Sequence, residues 1–179
     1  MVRLVPMKRM VAVVLGTSLL ALLVASVVAA QERAVVNGPI ECIYSVPDGV
    51  ELKAYVFSPE TPGGRRQRRS AIVLFHGGGW VMGEPEWAFD RAKHFAGTGM
   101  VAVAAQYRLS DQKQITPFEA MADARAVFRW MRKHADSLGI DPRRIAAYGW
   151  SAGGHLAASA AIFDGGASGE KISAAPNAL

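Results

Sequence analysis

AAYGWSAGGHLAAS, residues 146–159, sets a serine between glycines where a short apolar run gives way to a row of small residues. Within it Gly149-Trp150-Ser151-Ala152-Gly153 fits G-x-S-x-G, the turn on which a strand hands over to a helix and presents a serine hydroxyl at its tip. The flanks suit that reading. IAAY, 145–148, has the composition of a buried strand, and AGGHLAASAAIF, 152–163, that of a helix of small residues. Each glycine has a physical reason: the residue at the tip takes strained backbone angles, and a side chain at 149 or 153 would collide with the adjoining strand or helix. Gly154, Ala157 and Ala158 likewise let the helix approach a sheet.

Upstream, AIVLF (71–75) and VAVAA (101–105) are continuously apolar, like IAAY. Such runs suit central parallel strands covered on both faces. ECIYSVPDGVELKAYVFSP (41–59) predicts two strands around a Pro-Asp-Gly turn. Thr116-Pro117-Phe118-Glu119 predicts a helix start, with a capping box and proline at the first helical position. Met121, Ala124, Phe128, Met131, Ala135 and Leu138 then mark one apolar stripe, Arg129, Arg132, Lys133 and His134 crowd the C-terminal half, and Gly139 is the stop. A shorter helix is expected over Glu86–Ala96, with Ala88, Ala92, Phe95 and Ala96 inward. The alternation of strand and helix predicts an α/β fold, a mostly parallel sheet with helices on both faces.

His76-Gly77-Gly78-Gly79-Trp80 follows directly on the strand AIVLF. Acyl transfer passes through a tetrahedral oxyanion, and one donor fixed where that charge develops is worth ~3 kcal/mol. Consecutive glycines can turn bare N–H groups toward such a site. Gly77 and Gly78 are the candidate donors, with the N–H of Ala152 completing the hole from a helix N-terminus. A phosphate cradle is the competing use of such a loop, but G-x-x-x-x-G-K is absent and no G-x-G-x-x-G opens a helix.

With HGGGW at 76–80, YRLS at 107–110 and DPRRIAAYGWSAGGHLAA at 141–158, in that order, the chain resembles the α/β-hydrolase superfamily. More narrowly it is similar to HGGG-type esterases of the acetyl and feruloyl esterase-like and hormone-sensitive-lipase-like branches. The resemblance covers about residues 40–179. It implies Ser151 as nucleophile, Gly77, Gly78 and Ala152 as oxyanion donors, and hydrolysis of carboxylic esters through an acyl-enzyme. His76, Gly79, Trp80, Gly149, Trp150 and Gly153 are the expected site-shaping residues. Trp80 and Trp150 flank the serine, and aromatic walls suit a sugar face or an aromatic acyl group.

In this fold the triad runs serine, acid, histidine along the chain. After Ser151 the acids are Asp164 and Glu170 and the histidine is His155, one helical turn beyond the serine and directed away from it. His76 sits in the glycine loop, and His94 and His134 sit on expected helices. The chain is therefore read as the N-terminal portion of a longer hydrolase, ended after the nucleophile helix as ISAAPNAL leads into the next core strand. An isolated chain of this kind is expected to leave a sheet edge unpaired and to aggregate. A prolyl-oligopeptidase-like peptidase and a non-catalytic binding module are the alternative functions.

Composition limits the rest. The 179 residues, 51% of them hydrophobic, suffice for one domain with a core, 31–179, and the single Cys42 excludes an internal disulfide framework. Arg3, Lys8 and Arg9 precede an apolar run at 11–30, with Val28 and Ala30 placed for cleavage before Gln31. Residues 1–30 thus predict an export signal, or an N-terminal anchor if uncleaved, and a periplasmic or extracellular site of action. The net charge of +5 comes from this leader and from Arg65, Arg66, Arg68 and Arg69, so no nucleic-acid partner is expected. No metal-ligand cluster or nucleotide fingerprint is visible, and no cofactor is expected.

Overall fold

A computed structural model describes residues 34–60, 68–110, 115–163 and 171–179. The leader, Arg65 and Arg66 of the basic loop, and Asp164 and Glu170 lie outside the described residues. Five strands, β1 (Val36–Ser45), β2 (Leu52–Pro59), β3 (Arg69–Phe75), β4 (Val101–Ala105) and β5 (Ile140–Gly149), form one sheet in the order β1-β2-β4-β3-β5. β1 and β2 are antiparallel, as are β2 and β4, whereas β3 runs parallel to both β4 and β5. The parallel core is the arrangement that the continuously apolar runs predict, because both its faces are covered.

Alternate residues of the central strands serve two separate cores. Ala71, Val73 and Phe75 of β3 and Val101 and Val103 of β4 meet Val127, Phe128 and Met131 of α2 (Pro117–Lys133) and Leu156 and Ala160 of α4 (Ala152–Ile162). Ile72, Leu74, Ala102 and Ala104 face Ala92 and Ala96 of α1 (Phe89–Gly97) on the other side. Burying each large aliphatic or aromatic side chain contributes about 1.5–3 kcal/mol. The alanines at 102 and 104 add little area but let α1 lie close.

Three elements differ from the sequence reading. α1 begins at Phe89 because Pro85–Ala88 forms a 3-10 turn first. β5 starts at Ile140, five residues before IAAY. α2 ends at Lys133, and Ala135–Leu138 is a separate single turn, α3. The ring Nδ1 of His134 lies 2.8 Å from the Trp130 carbonyl, which its own N–H also reaches at 2.9 Å, and this doubled bond closes the helix. The stripe rotates accordingly: Ala120 and Val127 join it, Met121 and Leu138 are half-buried, and Asp123 falls within it. Gly139 ends α3 at φ 66°, as a C-terminal glycine should.

The outer edge of β5, expected to lie bare, is met by the chain's last residues. Ala147 N–H reaches the Ala178 carbonyl at 2.9 Å and Asn177 N–H reaches the Ile145 carbonyl at 2.7 Å, a parallel bridge at Ala146 and Ala178. Asn177 and Ala178 thus cover part of that edge as an isolated bridge.

The capping box at α2 is formed as expected. Phe118 N–H reaches Thr116 Oγ1 at 3.3 Å, and Thr116 N–H reaches Glu119 Oε2 at 2.7 Å. Thr116→Ala is expected to cost about 1 kcal/mol in urea denaturation; an unchanged midpoint would mean that tertiary packing alone sets the start of α2.

Candidate active site

Ser151 stands between the last residue of β5 and the first of α4 with φ 53° and ψ −124°, and it is exposed. A non-glycine residue in this region costs of order 1–3 kcal/mol and persists where its surroundings impose it. They do so here. A Cβ on Gly149 would lie 2.2 Å from the Gly153 carbonyl oxygen, and one on Gly153 would lie 2.2 Å from the Phe75 oxygen and 2.4 Å from that of His76. The first turn of α4 is therefore seated directly on the end of β3, where the glycine loop begins. Ala152 is the first residue of α4, so its N–H belongs to the turn that has no intrahelical acceptor.

The loop leaves β3 through buried His76 and Gly77 and then turns left-handed at Gly78 (φ 120°), Gly79 (φ 62°) and Trp80 (φ 64°). The Gly78 carbonyl accepts from the N–H groups of Val81 and Met82, both at 3.1 Å, folding the segment back on itself. Met82 O would stand 1.9 Å from a Cβ on Gly78, which only glycine avoids. A Cβ on Gly77 would meet the Trp150 indole nitrogen at 2.8 Å. Gly77 and Trp150 thus touch, and with Gly153 against His76 they bring the two motifs together.

Each histidine is engaged elsewhere than at the serine hydroxyl. His76 Nδ1 lies 2.6 Å from the Gly77 carbonyl, which can only accept, so this nitrogen carries the proton. Its ring stacks on Tyr107 at 4.3 Å, and burial holds its pKa below the ordinary value, with the Gly77 carbonyl, Glu84 and Glu86 opposing. The His155 ring lies edge-on to Trp80 at 5.1 Å, and its backbone N–H makes the helical bond to the Ser151 carbonyl at 3.1 Å. His94 packs edge-on to Phe95, and His134 bonds Trp130. Among the described residues no cluster of three or more His, Cys, Asp or Glu could hold a metal.

Several residues near the site escaped the sequence reading. Gly83 (φ 110°) is required because a Cβ there would stand 2.5 Å from His76 Nδ1. Arg91 of α1 lies 5.2 Å from the Trp150 ring and 5.8 Å from that of Tyr148. Arg91 and Tyr148, with Asp90, His94 and Phe95, line an open cavity of about 290 Å3 on the α1 face, to which neither the elbow nor the glycine loop contributes. Tyr107 and Arg108 belong to the quoted YRLS motif, yet the sequence assigned them no task. The available signal was a charged residue inside an apolar stripe, Asp123, which demands a buried cation.

The BD-FAE family model matches residues 60–172. Carboxylesterase NlhH of Mycobacterium tuberculosis is 37% identical over 95 residues, 52% of this chain and 29% of that protein. Lipase 2 of Moraxella sp. strain TA144 is 32% identical over 114 residues, 62% of this chain and 26% of that protein. Among solved structures, the butyrate-bound esterase Est2 of Thermogutta terrifontis superposes with a TM-score of 0.71 at 40% identity, covering 79% of this chain and 52% of that one. The chain thus spans about half the length of this structural relative and less than a third of either curated one.

His76 provides a pH test. Its folded pKa lies below the unfolded value of about 6.5, so its contribution to stability is complete above that pH and is lost as pH falls toward the folded value. The stability gap between the wild type and His76→Gln is expected to narrow from about pH 8 to about pH 5 in urea titrations. A gap that widened on acidification would show a charged, not a neutral, imidazole under the loop.

Proposed function

Because the chain belongs to the BD-FAE family and has the fold of esterase and lipase-like α/β-hydrolases, we propose that it hydrolyses carboxylic esters through an acyl-enzyme on Ser151. The observation that carries the proposal is the left-handed Ser151 at the strand-to-helix turn, packed against the glycine loop. In this reading Ser151 Oγ gives its proton to the triad base and attacks the ester carbonyl, and the N–H groups of Gly77, Gly78 and Ala152 donate to the developing oxyanion. The ester C–O bond breaks and the alcohol leaves with that proton, and water then cleaves the acyl-enzyme to release the acid and restore Ser151. His76, Gly79, Trp80, Gly149, Trp150 and Gly153 shape the site. Serine is a weak nucleophile without a base. The four histidines of this chain have other engagements. We assign the triad acid and histidine to polypeptide beyond this stretch, for which the half-length overlap with Est2 leaves room.

Trp80 and Trp150 favour an ester with a flat apolar face, either a small aromatic acyl group or an acylated sugar. The basic and then apolar leader supports export, with a membrane link only if it stays uncleaved. The natural protein is expected to hydrolyse p-nitrophenyl acetate and butyrate, and Ser151→Ala is expected to lower kcat by on the order of a thousandfold or more. Undiminished turnover in Ser151→Ala would remove the nucleophile assignment. Turnover of peptide anilides in preference to esters would move the chain to the peptidase reading.

A further inference from the structure

The glycine loop, with three successive left-handed residues, is closed by its own Gly78 carbonyl and is also held from outside. The segment leaving β4 passes along it and grips both ends. At the near end the Tyr107 ring stacks on His76 and its hydroxyl donates to the His76 carbonyl at 3.0 Å. At the far end Ser110 N–H donates to the Trp80 carbonyl at 2.6 Å. Between these grips Arg108, 7% exposed, turns to Asp123 of α2, which is 2% exposed.

That contact fixes orientation as well as charge. Asp123 accepts from Arg108 Nη2 at 2.8 Å, from Nε at 3.0 Å and from the Arg108 backbone N–H at 2.9 Å, so main chain and side chain are tied to one carboxylate. Arg108 Nη1 also reaches Asp48 at 2.9 Å, and Nη2 the Glu119 carbonyl at 3.4 Å. Burial, with a smaller push from the Glu119 charge, raises the Asp123 carboxyl, and the Arg108 hydrogen bonds and charge oppose that rise. A buried ion pair is often no more stabilising than an apolar pair of the same volume. Its distinctive property is direction.

We infer that Asp123 and Arg108 are positioning residues for the glycine loop, setting through Tyr107 and Ser110 where the Gly77 and Gly78 N–H groups stand. The inference rests on the esterase reading for its catalytic consequence, though its structural part does not. Tyr107→Phe keeps the ring stack and removes the bond to the His76 carbonyl. Asp123→Asn keeps the shape and removes the charge.

In the natural protein both variants are expected to lose kcat by roughly ten- to a hundredfold with KM within about twofold, less than outright removal of an oxyanion donor. Affinity for a trifluoromethyl ketone, which forms the oxyanion adduct, should fall in parallel, whereas a loss of stability alone would leave kcat per folded molecule unchanged. Amide exchange supplies a readout independent of turnover: protection over residues 77–82 should drop in both variants while the β3 and β4 core keeps its own. Unchanged exchange in that loop, or unchanged kcat and ketone affinity in a wild type that does hydrolyse esters, overturns the inference. A wild type inert toward esters whose variants still loosen the loop would instead leave the positioning in place and remove the esterase reading.

Discussion

The close contact of Gly153 with the end of β3 decides how the two site segments meet. With carbonyl oxygens 2.2 and 2.4 Å from where a Cβ would lie, α4 is placed against the point at which β3 opens into the glycine loop. That contact fixes where the helix begins and therefore how sharply the chain must turn at Ser151. The strain at φ 53° is imposed by packing on both sides, from Gly149 against Gly153 and from Gly153 against β3. The same contact sets the distance between the serine and the loop. A single steric fact thus ties the end of β5, the exposed Ser151 and the start of the glycine loop together.

The sheet makes this possible because its parallel centre brings the C-terminal ends of β3 and β5 side by side. Phe75 pairs with Gly149, so the two site segments leave the sheet as direct neighbours. β4 delivers the third segment at the same end, with Leu74 of β3 opposite Ala104. Ligands in open α/β sheets gather beyond these ends for that reason. Here three exits bring Ser151, the glycine loop and the Tyr107–Ser110 segment side by side.

Much of this was legible in the sequence because the decisive signals are local. Strand runs at 71–75 and 101–105, the capping box at Thr116 and the glycine spacing around Ser151 depend on near neighbours along the chain. What escaped depends on contacts across the fold. Asp123 reads as one acid on a helix, and its pairing with Arg108 emerges when α2 lies over the end of β4. Gly83 gives no local hint of standing against His76. The early end of α2 at Lys133 was hidden because neither glycine nor proline marks it; a histidine ring on the Trp130 carbonyl does. The start of β5 at Ile140 was missed because Asp141, Pro142 and two arginines precede its apolar run.

A reactive serine at the turn between β5 and α4 would show itself in its covalent chemistry. The natural protein would be treated with paraoxon, a reagent that phosphorylates Thermogutta terrifontis Est2, and the adduct mapped by peptide mass spectrometry. One diethyl phosphoryl group is expected on the peptide containing Ser151, formed more slowly when excess ester substrate is present. Modification of another serine, with Ser151 untouched, would contradict it.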